Sequence, residues 1–130
     1  MAERLPDEAL SRNAGWTMYL ELWQDVRRTV PLAMTGYAAL CQFREVENDQ
    51  DSTLLATPAI AIGGYDVNGV FAANPAGNVL RLTLPRATIA AVTQAVMYAD
   101  VLVGPIGGSD PDRVAHFRAV LGDGESVWPT

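Results

Sequence analysis

The sequence predicts an all-β protein, a two-layered antiparallel sandwich of about seven to nine strands with one short helix and an extended N-terminal arm. Three observations carry that prediction: apolar residues recur with a period of two, Gly, Pro, Asn and Asp punctuate the chain every ~8 to 12 residues, and helical spacing occurs in one short stretch only. The alternation is clearest between Gly15 and Gln24. There Trp16, Met18, Leu20 and Leu22 would line one face of a strand, and Thr17, Tyr19, Glu21 and Trp23 the other.

The leader before it, residues 1–14, has mixed charges and Pro6, with Leu5 and Leu10 as its large apolar groups, and reads as an arm. Residues 15–130 read as the sandwich domain. After the first strand, Asp25 to Thr29 turns the chain into Val30-Pro31-Leu32, where Pro31 marks an edge or a strand entry. Gly36 closes the turn begun by Met34-Thr35 and is expected to take a positive φ. The next strand sets Tyr37, Ala39, Cys41 and Phe43 against Ala38, Leu40, Gln42 and Arg44, and the acidic segment Glu45 to Asp51 is a loop. Thr53 to Thr57 and Ala59 to Ile62 are short strands broken at Pro58. Gly63-Gly64 and Asn68-Gly69 read as turns, the second a strong hairpin signal, and Val70 to Ala73 returns. Asn74 to Asn78 turns again into Val79 to Leu84. Pro85 opens a short helix in which Ile89, Val92 and Val96 repeat at helical spacing. Strands are expected again at Met97 to Val103, about Arg113 to Leu121 and Ser126 to Trp128.

Composition excludes several classes. A chain of 130 residues forms one domain that buries enough surface to fold without metal or disulfide staples. Mean hydropathy is +0.10, and no run approaches the ~18 apolar residues of a membrane span. The first twelve residues include Glu3, Arg4, Asp7, Glu8 and Arg12, unlike a signal peptide, so a reducing cytoplasm is the expected folding compartment. One cysteine, Cys41, precludes an internal disulfide and a multi-thiolate metal site. A net charge of −6 disfavours a nucleic-acid partner. All nine cations are Arg, a residue suited to contact surfaces, which brings Arg27 and Arg28 into consideration.

Groups able to do chemistry are scattered. His116 is the sole histidine and shares a face with Val114, Arg118 and Val120, and Cys41 falls on the inner face with no base beside it. Glu45, Glu47, Asp49 and Asp51 lack the Gly and distal Glu of a calcium loop. Gly63-Gly64 and Gly107-Gly108 are not followed by the Lys-Ser/Thr of a phosphate cradle. The aromatics are more telling. Tyr19 and Trp23 stand on a polar strand face and Trp128 lies beyond the last turn, all candidate interface anchors. The intramolecular alternative folds Leu5 and Leu10 of the leader over Tyr19 and Trp23.

A resemblance follows from particular stretches. Val30-Pro31-Leu32-Ala33-Met34-Thr35-Gly36-Tyr37, preceded by a Trp-bearing strand and followed by Gln42-Phe43-Arg44, resembles the opening of a family of small bacteriophage virion proteins. Leu80-Arg81-Leu82-Thr83-Leu84, a helical turn, Tyr98-Ala99-Asp100-Val101 and Val127-Trp128-Pro129-Thr130 continue the likeness over residues 15–130. The order is similar to the N-terminal immunoglobulin-like domain of phage baseplate upper proteins and to small tail or head-decoration proteins. Where an aspartate is frequent before the Thr-Gly turn, this chain has Ala33. The resemblance implies a non-enzymatic, oligomeric part of a virion, in the tail, baseplate or head-to-tail region, assembled with other virion proteins in the host cytoplasm. It implies no cofactor, no metal, no membrane and no small-molecule substrate. Tyr98 would then be a corner tyrosine, its hydroxyl bonded to nearby backbone. Capsid decoration is the alternative within that class, and a carbohydrate- or receptor-binding β module the alternative outside it.

Overall fold

The computed structural model describes residues 3–124, and within them it is a β-sandwich of ten strands and one short helix. The strands are β1 (Glu3–Arg4), β2 (Glu8–Ser11), β3 (Trp16–Glu21), β4 (Tyr37–Arg44), β5 (Leu54–Ala56), β6 (Ala59–Tyr65), β7 (Phe71–Ala73), β8 (Val79–Leu84), β9 (Val96–Pro105) and β10 (Asp112–Gly122). The helix α1 (Arg86–Ala90) lies between β8 and β9. One sheet runs β1-β10-β9-β4-β5, with β2 also on β10, and the other runs β3-β8-β6-β7. The orders β10-β9-β4 and β3-β8-β6 correspond, as topology, to the G-F-C and B-E-D orders of an immunoglobulin-type sandwich.

The period of two explains the core. Trp16 and Leu20 of β3 with Leu80, Leu82 and Leu84 of β8 face inward from the smaller sheet. Cys41, Phe43, Met97, Val101, Ala115 and Phe117 meet them from the larger one. Three rings fill the centre: Phe43 lies edge-on to Trp16 at 5.6 Å and to Phe117 at 5.5 Å. Such aromatic pairs add about 0.5–1.5 kcal/mol each beyond the area they bury. Pro85 caps α1 and Ile89 seals one end of the core, which is all the helix that Thr88 and Ile89 allow before the chain turns back into β9.

Residues of the leader do not stay apart from this core. β1 and β2 run parallel to β10, pairing Glu3 with Ala115 and Leu10 with Leu121, so the larger sheet is mixed and not purely antiparallel. Leu10 is 3% exposed and Leu5 packs against the same core. Trp16 donates its indole N–H to Glu8 at 3.1 Å, tying β2 to β3. Arg12 donates to the Val92 and Gln94 carbonyls at 2.9 and 2.8 Å and to Asp123 at 3.0 Å. A short apolar segment that could not fold alone is stabilised by a strand edge already formed.

Gly63 and Gly64 are a second correction. They continue β6 and do not turn; Asn68-Gly69 makes the hairpin, with Gly69 at φ +76°. Gly63 is required by close approach, since a Cβ there would stand 2.5 Å from the Phe71 ring and 2.2 Å from the Ala72 carbonyl. Gly36 holds φ +77° in its turn. The strand expected at Ser126 to Trp128 lies outside the described residues.

Candidate interaction surfaces

Each sheet turns one face to solvent, and the two faces differ in chemistry. On the smaller sheet, register places Tyr19 beside Arg81 and Arg81 beside Ala61, while Tyr65 pairs with Phe71 across the hairpin. The Tyr19 ring lies 5.7 Å from Phe71 and 6.3 Å from Tyr65, and the Arg81 guanidinium sits 4.8 Å over the Phe71 ring. Tyr19 and Tyr65 are nearly half exposed. Burial, with the Glu21 carboxylate and Tyr19 nearby, pushes the Tyr65 phenol up, so Tyr65 presents a neutral hydroxyl. The cluster stands beside β3, which is the end strand of its sheet.

Other sequence-nominated anchors fall elsewhere. Trp23 is half-buried in a bridge to Pro31 beyond the end of β3, and its indole N–H has no hydrogen-bond partner among the described residues. Leu5 and Leu10 pack in the core and do not cover Tyr19. Leu10 is therefore a core residue and no interface anchor. Arg27 is exposed in the 25–30 loop, and Arg28, at φ 57°, pairs with Glu3 at 3.5 Å. Asp25 organises that loop by accepting from the Thr29 hydroxyl and from the Thr29 and Val30 amides, and these bonds hold its carboxyl below the usual carboxylate range. Trp128 lies outside the described residues.

Tyr98 departs from the corner role. It lies within β9, in register with Arg44 on one side and Arg118 on the other, and its hydroxyl makes no hydrogen bond among the described residues. Third in β9 and on the outer face, it lines a groove beside Arg44, whereas a corner tyrosine bonds backbone just upstream.

The outer face of the larger sheet carries the second surface. Pairing aligns Gln42, Asp100, His116 and Arg4 in one row across four strands, with Arg44, Tyr98 and Arg118 in the next. The loop of residues 45–51 rises beside these rows and encloses a groove of about 480 Å³. Arg4 joins Glu47 of that loop at 3.6 Å, and Arg44 donates to the Ser52 carbonyl at 2.7 Å and to Gln42 at 3.1 Å. Asp7 accepts from Arg118 Nε at 3.1 Å, and this bond holds its carboxyl low. Burial, then Arg113 and Arg4, lower the His116 pKa, so the imidazole is neutral at pH 7 and offers one donor and one acceptor.

Cys41 is fully buried and its thiol is pushed up to about 12 by desolvation, with the Asp100 charge adding to it. It packs as a small apolar group. Among the described residues no three His, Cys, Asp or Glu side chains gather to hold a metal ion, and no helix is long and apolar enough to cross a membrane.

Sequence reasoning missed Tyr65, Phe71 and Arg81 as partners of Tyr19. The signal was present: Tyr65 and Phe71 lie equidistant from Asn68, so the hairpin dipeptide already places them opposite each other. No protein family model matches the chain, and no curated protein matches it significantly.

Proposed function

We propose that this protein is a non-enzymatic building block of a bacteriophage particle, in the tail, baseplate or head-to-tail region, and that it works by protein–protein assembly. The observation that carries this reading is the outward cluster of Tyr19, Phe71 and Tyr65 with Arg81 beside an end strand. Tyr and Arg dominate binding energy at protein interfaces because they bring large, stiff contact area with a polar tip. A strand edge offers further backbone donors and acceptors to a neighbour. The resemblance of residues 15–130 to small phage virion proteins supports the setting, with other virion proteins or further copies of this chain as partners and the host cytoplasm as the place of assembly. A capsid-decoration role rests on the same surface.

Purified phage particles carrying the gene, fractionated into heads and tails and analysed by mass spectrometry, test the reading. The chain is expected in one fraction at a fixed ratio to its neighbours. Its absence from both overturns the proposal.

A further inference from the structure

The groove on the larger sheet is independent of the aromatic face, since the two lie on opposite outer surfaces of the sandwich. Its volume of about 480 Å³ falls within the roughly 300–1,000 Å³ range of small-molecule clefts. Its lining is polar, which disfavours an apolar ligand, and its charges disfavour an anion. Asp100, Glu47, Asp49 and Asp51 outnumber Arg4, Arg44 and Arg113, four carboxylates to three guanidinium groups. Those arginines are also engaged, with Glu47 and Asp7, with Gln42 and Ser52, and with Asp100 respectively. A phosphate or sulfate would meet net negative charge and would have to break existing pairs.

What the groove offers is planar hydrogen-bonding groups around a ring. Asp100 and Gln42 are cross-strand neighbours, and a carboxylate and a carboxamide in register suit vicinal hydroxyls, one accepting only and the other donating and accepting. Neutral His116 extends the same row. Tyr98, in the next row, supplies an aromatic surface for the C–H face of a sugar ring. Arg113 lies beside Asp100, its Nε 3.6 Å from the carboxylate, and about a third of its side chain is exposed, so its guanidinium adds donors at this end of the groove. A hydroxyl between the two would accept from Arg113 and donate to Asp100.

We propose that this groove binds a neutral carbohydrate, with Tyr98 under one ring and Asp100, Arg113 and Gln42 holding its hydroxyls. The site would serve surface recognition, whether or not the aromatic face assembles into a particle.

Titration of the ¹⁵N-labelled full chain with maltose, cellobiose, lactose, chitobiose and mannobiose, followed by NMR, is the test. At least one disaccharide is expected to shift amides of β4, β9 and β10 around residues 42, 98–100 and 113–116 saturably, with millimolar affinity. Tyr98→Ala and Asp100→Asn should each weaken that binding on the order of tenfold while leaving the remaining spectrum in place. Tyr19→Ser, on the other face, should leave it unchanged, which separates this site from the assembly surface. Shifts with inorganic phosphate and with none of the sugars, sugar-induced shifts outside the groove, or no saturable shifts at all would overturn the proposal.

Discussion

Leu10→Ala probes whether the leader belongs to the folded domain. Leu10 is 3% exposed, paired with Leu121 through β2 and β10, and part of the central cluster, so its truncation leaves a cavity between well-ordered neighbours. Buried Leu→Ala changes cost about 2.7–5.0 kcal/mol, and a site at the sheet margin belongs near the lower end, about 3 kcal/mol. Unfolding entropy of about 2.1 cal/mol/K per residue gives about 0.27 kcal/mol/K for 130 residues, so the expected fall in Tm is about 11 °C. The assay is thermal unfolding by circular dichroism at 218 nm, roughly the β minimum, with exposed Ala9→Ser as a control expected to stay within about 0.5 kcal/mol of the native chain. A loose arm predicts the opposite pattern, with Leu10→Ala as silent as the control. A shift under about 2 °C would refute the integrated leader.

Gly77→Ala should lower the urea midpoint strongly, because a Cβ there would stand 1.8 Å from the Gly63 carbonyl oxygen, whereas Gly64→Ala meets nothing within 4 Å and should be close to neutral; equal midpoints would contradict the packing. The Cys41 thiol should resist a disulfide reagent at pH 8 in the native state and react at once in guanidinium, since it is buried and its pKa is raised to about 12; fast native reaction would place it at the surface. Asp7 binds its proton more weakly folded than unfolded, so its contribution to stability is present above the unfolded carboxylate pKa and is lost as pH falls through the lower folded one. Arg118→Gln should remove that acid dependence, and a carboxyl titration for Asp7 at or above the ordinary value would deny the pair.

Strand positions were legible because burial on one face imposes a period of two: Val79–Leu84 and the alternation through Met97 to Val103 follow from it directly. Leader and glycine positions were not, for reasons of tertiary context. Glu8–Ser11 becomes a strand only because β10 offers a free edge, and nothing local in that tetrapeptide states it. Gly63-Gly64 carries a turn signature, yet the chain passes straight through because the Phe71 ring needs the space. The same limit applies to the surfaces. Tyr19 was identifiable as an outward aromatic, but the row of Gln42, Asp100, His116 and Arg4 draws on four strands from distant parts of the chain and exists only once their register is set. Tyr98, placed from its resemblance at a corner, sits instead in the groove.

Competition for incorporation tests the proposal that the Tyr19, Phe71 and Tyr65 face holds this protein in a larger assembly. Particles would be assembled in the presence of equal amounts of native chain and a Tyr19→Ser/Tyr65→Ser chain shown by circular dichroism to be folded. Loss of the two anchors is expected to disfavour the variant at least about thirtyfold, the factor for about 2 kcal/mol from one strong anchor, since anchor energies do not simply add. Equal incorporation of the two chains would contradict the account.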